Sequence, residues 1–196
     1  SSYTYSGGSA VVTPTANASY TVTGTSAQGC PASNTVVSNV TVNITPTVSV
    51  NSGSICSGKS FTMLPSGANT YSYSSGSAVV SPLTNTGYSV TGTSAQGCVS
   101  SNTAVSNVTV YISPTITVNS GSICSGNSFI ITPTGASTYT YSGGSATITP
   151  ISNTTISVTG TSSLGCLSTN TAISSVTVNI KPTLSVNSGS FCLGNS

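Results

Sequence analysis

The chain has 196 residues and a formal net charge of +2, carried by two lysines, with no Asp, Glu, His or Trp. Without carboxylates or imidazoles it lacks the usual partners for general acid–base catalysis, for an activated nucleophile and for a calcium or magnesium cage. Two lysines make no basic face for nucleic acid, and no run of eighteen apolar residues is present to span a bilayer.

Repetition organises the rest. "VTGTSAQGC" stands at 22–30 and at 90–98, and "VTGTSSLGC" at 158–166. Cys30, Cys98 and Cys166 are therefore evenly spaced, and the same interval separates Cys56, Cys124 and Cys192, and again Pro46, Pro114 and Pro182. A fixed period of this length fits a tandem array of small domains better than a solenoid rung. The boundaries predicted are 46–113 and 114–181 for two full units, 1–45 for the last two-thirds of a unit, and 182–196 for the start of another, completed by a next copy. Val, Ile, Tyr and Thr recur in alternation and net charge is near zero, which argues against disorder.

Unit 114–181 shows the predicted elements in order. "PTITVN" reads as a first strand behind a proline that cannot join a ladder. "GSICSGN" reads as a turn carrying Cys124, and "SFIITP" as the second strand. "TYTYS", "ATITP" and "TTISVTGT" follow as strands separated by Gly, Pro, Ser and Asn. "SSLGCLSTN" is a loop carrying Cys166, and "NTAISSVTVNI" is the longest strand. Short strands at this spacing, with no capped helical pattern, predict an all-β fold of tandem β-sandwich domains, about 68 residues per repeat.

Cysteine pairing follows from counting strands. Four strands lie between Cys56 and Cys98; in an up-and-down or Greek-key sandwich an even number returns the chain to the same end. The expected pairs are 56–98 and 124–166, with Cys30 and Cys192 joined across adjacent copies. A bond between units, such as Cys30 with Cys56, is expected to exceed the roughly 4.4–6.8 Å between α-carbons that a disulfide allows. Cysteines alternately 26 and 42 apart do not suggest zinc. Disulfides imply an oxidising, extracellular or cell-surface setting. An isopeptide bond from Lys59 or Lys181 lacks an assisting carboxyl.

The stretch "SICSGNSFIITPTGASTYTYSGGSATITPISNTTISVTGTSSLGC" with "NTAISSVTVNI" resembles the immunoglobulin-like tandem repeats of large bacterial surface and secreted proteins, common among type IX secretion cargo. The shared features are Cys-x-Gly, Gly-Ala-x-Thr-Tyr, Thr-x-Tyr-x-Val-x-Gly-Thr, and Gly-Cys before a strand of alternating valines. The chain departs by Tyr5, Tyr73 and Tyr141 where a Trp is frequent, by the lack of Asp in the "GTSAQGC" turn, and by Ile156 where Tyr20 and Tyr88 stand. The resemblance implies an adhesin, stalk or filament and not an enzyme; no cofactor is expected.

A β protein almost without charge must stay dispersed by other means. Asn17, Asn39, Asn43, Asn107 and Asn153 are N-x-S/T sequons and candidate glycan sites; in "SNVTVNIT" the valines and Ile44 are expected inward, with Asn39 and Asn43 outward. Assembly is the other means: a head-to-tail homopolymer in which a strand of one copy docks into the sheet of the next. A competing reading is a glycan-binding adhesin using the tyrosine pairs Tyr3 and Tyr5, Tyr71 and Tyr73, Tyr139 and Tyr141. Residues two apart share one face of a strand, either as a stacking platform or as core. Threonine stripes such as "TVTGT" raise ice binding as a third reading, weakened by their interruptions.

Overall fold

A computed structural model describes residues 1–194; the last two residues of the predicted 182–196 segment lie outside the described residues. The described chain is all β, with fifteen strands and no helix. The chain forms two compact units, unit 1 (Ser1–Gly53, Thr62–Val80, Gly87–Asn107) and unit 2 (Ser54–Phe61, Ser81–Thr86, Val108–Ser196). The strands are β1 (Ser2–Tyr5), β2 (Ala18–Thr25), β3 (Val36–Val40), β4 (Gly53–Cys56), β5 (Phe61–Thr62), β6 (Thr70–Tyr73), β7 (Val79–Val80), β8 (Thr86–Thr93) and β9 (Ala104–Tyr111). They continue as β10 (Gly121–Cys124), β11 (Phe129–Ile130), β12 (Thr138–Tyr141), β13 (Thr147–Ile148), β14 (Thr154–Thr161) and β15 (Ala172–Asn179). Each strand from β10 to β15 starts one full period after its counterpart in β4 to β9.

Unit 2 holds the four-stranded sheet β10-β15-β14-β12 and the two-stranded sheet β11-β13. β14 alternates because Ile156 and Val158 face the core while the residues between them face outward. Ile116, Ile131, Ile156, Val158 and Ala172 form the buried cluster, with Phe129, Tyr139, Tyr141 and Ile148 packed against it. Side chains from both sheets thus share one apolar layer, the arrangement of an immunoglobulin-like β-sandwich. The sheets β4-β9-β8-β6 and β5-β7 repeat the same order.

Two segments differ from expectation. "GSIC" in "GSICSGN" is strand β10, paired in parallel with β15 from Gly121↔Val176 to Cys124↔Asn179. "PTITVN" is held largely by side chains: the Ile116 amide donates to Asn170 Oδ1 (2.8 Å), and Asn170 Nδ2 donates to the Ile116 carbonyl (2.9 Å). Asn102 treats Val48 the same way in unit 1, at 2.9 and 2.8 Å. Locally this segment looks like a strand; what fixes it is a single backbone bridge, Thr117 to Thr134, together with the side-chain amide of a residue far along the chain.

Unit 1 also holds the three-stranded sheet β1-β2-β3, in which β3 is an edge. β3 spans five residues, where its counterparts β9 and β15 span eight. The pairings of β15 give the reason. β14 covers it only as far as Val176, and Thr177–Asn179 pair with β10 alone.

Candidate functional site

The structure corrects the expected cysteine pairing. Cys56 is bonded to Cys166, with α-carbons 5.6 Å apart and a sequence separation of 110. Cys30, Cys98, Cys124 and Cys192 are free. The pairs 56–98 and 124–166 fail because the strand count assumed that every turn reverses the chain. β11 and β13, with only β12 between them, should then run the same way; they run antiparallel. One connection therefore carries the chain onward, and the parity inverts. Cys124 ends up beside Asn179 at the far end of β15, whereas Cys166 follows β14, whose last residue paired with β15, Val158, faces Ala172 at the start of that strand. An eight-residue strand of roughly 25 Å separates the two ends.

Cys166 is fully buried, and its Sγ lies 3.9 Å from the Tyr111 carbonyl oxygen. The Ser57 amide, next to Cys56, donates to that same carbonyl at 2.8 Å. The bond thus closes around the end of β9, joining β4 of one period to the loop after β14 of the next. Unit 1 holds the counterpart of half this arrangement: Cys98 Sγ lies 3.8 Å from the Asn43 carbonyl oxygen.

The tyrosines divide. Tyr139 and Tyr141 pack on the core. Tyr139 Oη accepts from the Ala136 amide (3.0 Å) and donates to the Ala136 carbonyl (2.8 Å), and Tyr71 makes the same pair of bonds with Ala68. Tyr5 and Tyr73 are likewise half-buried. Tyr3 alone is open, 66% exposed, beside an apolar pocket lined by Val22, Gly24, Asn34 and Val36. Tyr139→Phe is expected to cost about 1–3 kcal/mol, since it unpairs a partly buried amide and carbonyl. A lower urea midpoint with an unchanged slope checks this; an unchanged midpoint shows that the hydroxyl holds nothing.

All five sequon asparagines are exposed. Asn17 Oδ1 accepts from the Val42 amide (2.8 Å) and Asn153 Oδ1 from the Val178 amide (2.7 Å), so each pins its last strand. Asn39 Oδ1 accepts from the Ser19 hydroxyl at 2.6 Å. Ile44, expected inward, is 87% exposed; it lies past the strand, just before the Thr45–Pro46 step, as Ile112 and Ile180 do at 85% and 92%.

Two further structural residues escaped the sequence. Ser106 and Ser174 are fully buried and donate to the Asn51 and Asn119 carbonyls, each at 2.7 Å. Their only signal was an inward position in the strand alternation, where Val or Ala is usual. No cluster of three or more metal-ligating side chains occurs among the described residues, and no helix there is long and apolar enough to cross a membrane.

The sandwiches and their staple define a class: a tandem immunoglobulin-like β protein. No protein-family profile matches the chain, and no curated protein is similar to it. Among solved structures it is similar to a calcium-stabilised adhesin with which an Antarctic bacterium reaches out and binds ice, at 18% identity and TM-score 0.39. That match covers 82% of this chain and 56% of the adhesin structure, so the chain spans just over half of its relative. It is also similar to part of a 1.5-MDa bacterial ice-binding adhesin retained at its host cell surface (16% identity, 83% and 74% covered, TM-score 0.36). A third likeness is to the titin I-band fragment I67–I69 (6% identity, 85% and 75% covered, TM-score 0.37). At these values nothing about ligands or partners transfers to this chain.

Proposed function

We propose that the chain is a structural segment of an extracellular filament or stalk, built head to tail from immunoglobulin-like repeats and open to glycans at its exposed sequons. The Cys56–Cys166 bond carries this reading, because it adds a second covalent link between consecutive periods. Such a link supplies mechanical continuity and no chemistry. The composition supports the same role, since the acid–base groups that an enzyme uses near neutral pH are missing. A disulfide supports an oxidising, extracellular setting for the working protein. The glycan-binding reading loses its platform where Tyr71 and Tyr139 are tied to Ala68 and Ala136. Electron microscopy of the native material tests the proposal. Beaded fibres are expected; dispersed particles of single-chain mass at high concentration overturn it. Intact mass equal to the bare polypeptide removes the glycans alone.

A further inference from the structure

We propose that the free edge of β3 accepts the segment 182–192 of a second copy of this chain, and that two intermolecular disulfides, Cys98–Cys192 and Cys30–Cys124, seal the junction. The inference rests on the head-to-tail reading and names its joint.

The complete sheet of unit 2 shows what covers such an edge. There β10 lies along β15 and alone pairs with Thr177–Asn179. The counterparts on β3's side, Thr41–Asn43, have no strand pairing. Ser106 and Ser174 are buried under the segments whose carbonyls they bond, whereas their counterpart Ser38 is exposed. The pocket at Tyr3, Val22, Gly24, Asn34 and Val36 corresponds residue by residue to the seat of Ile116 in unit 2. In that seat Ile116 joins the cluster of Val158, Ala172 and Tyr139, and Asn170, counterpart of Asn34, clamps its backbone. An apolar socket beside an open sheet edge is the usual receptor for an added strand.

The occupant is written in the chain. "PTLSVNSGSFC" at 182–192 repeats "PTITVNSGSIC" at 114–124, with Leu184 in the place of Ile116. Leu184, Val186 and Phe191 are 91%, 93% and 83% exposed, apolar surface that docking would bury. The β10–β15 register, moved onto β3, sets Gly189 opposite Val40 and Cys192 opposite Asn43. Cys98 Sγ already lies 3.8 Å from the Asn43 carbonyl, as Cys166 Sγ lies 3.9 Å from that of Tyr111. Cys192 therefore meets Cys98 as Cys56 meets Cys166.

One further step along the array brings Cys124, the counterpart of Cys56, to Cys30 of the second copy. The expected Cys30–Cys192 bond is replaced, because those positions correspond to Cys124 and Cys166, which sit at opposite ends of one sheet. Each new bond forms as two thiols pass two electrons and two protons to a small disulfide such as oxidised glutathione, which leaves as two thiols.

The test mixes ¹⁴N- and ¹⁵N-labelled full chains with oxidised glutathione, then runs non-reducing gels and maps disulfides by mass spectrometry. The expected result is a ladder that collapses with reductant and mixed-isotope cross-links 98–192 and 30–124. Leu184→Asp lies in an exposed segment and should leave the Cys56–Cys166 bond and the circular dichroism intact while cutting ladder formation at least tenfold; Leu184→Ile should keep it. Cross-links 30–192, cross-links 98–192 in a single isotope only, or a Cys98 in native material bonded to a peptide foreign to this sequence each overturn the inference. Fibres without either cross-link overturn it while leaving the filament reading standing. Cross-linked dimers that never extend do the reverse.

Discussion

Reducing the Cys56–Cys166 bond is expected to cost about 5 kcal/mol on the chain-entropy model, because the bond closes a loop of 110 residues. That is a large share of the 5–15 kcal/mol that typically holds a domain together. Urea unfolding of the monomeric chain with and without reductant measures it, and the double variant Cys56→Ala/Cys166→Ala should match the reduced protein. Cys166 carries no thiol while it is bonded, so it should resist alkylation until the bond is broken, whereas the exposed Cys30, Cys124 and Cys192 should label at once and the half-buried Cys98 more slowly in an unassembled chain. Rapid labelling of Cys166 in the unreduced protein, or a midpoint indifferent to reductant, would remove the staple from the account.

The second large effect is expected at Gly135. Its φ is +103°, a conformation that L side chains rarely adopt, and a Cβ there would overlap the carbonyl oxygen of Thr115. Neither side can yield easily. Gly135 follows Thr134, which exchanges two backbone hydrogen bonds with Thr117 (3.2 and 2.9 Å), and the next residue over, Ile116, is held by Asn170. Gly135→Val should therefore cost at least about 3 kcal/mol, backbone strain and overlap together. Gly144→Ala is the control: φ is +74°, and a Cβ meets nothing within 4 Å. It should lose only the roughly 1–2 kcal/mol of left-handed strain. Equal losses in the two variants would mean that the approach of Thr115 is unimportant. Gly67 makes the same approach to Thr47 in unit 1, so Gly67→Val should act alike there.

What could be read from the sequence was whatever depends on neighbours along the chain. The strand "TTISVTGT" was legible over its observed length because alternation of Ile156, Val158 and Gly160 with polar residues is a local signal. "TYTYS" was legible likewise. "GSIC" was missed because β10 owes its strand character to β15, which lies far along the chain. The cysteine pairing was missed for a different reason. A strict period leaves Cys56 with two look-alike partners, Cys98 and Cys166, and the expectation that neighbouring units lie too far apart for a disulfide wrongly favoured Cys98; the observed bond crosses the predicted boundary between 46–113 and 114–181 with α-carbons 5.6 Å apart. Only the direction of the two-residue strands β11 and β13, too short to read, decides between them. The tyrosine pairs were legible as either platform or core, and the Ala136 hydrogen bonds settle Tyr139 as core.

The parallel alignment of β10 and β15 bears on how a filament would answer to tension. While the Cys56–Cys166 bridge holds, tension on the chain runs from residue 56 straight to residue 166 and bypasses β10; once it is reduced, load would enter this sandwich near the start of β10 and leave past the end of β15. Pulling two parallel neighbours in opposite directions slides one along the other. The four residue pairs from Gly121↔Val176 to Cys124↔Asn179 then resist in concert, in shear, instead of parting one after another like a zip. The shear clamp is thus a reserve: an intact sulphur bridge keeps it out of the line of load, and a reducing medium would bring it into play.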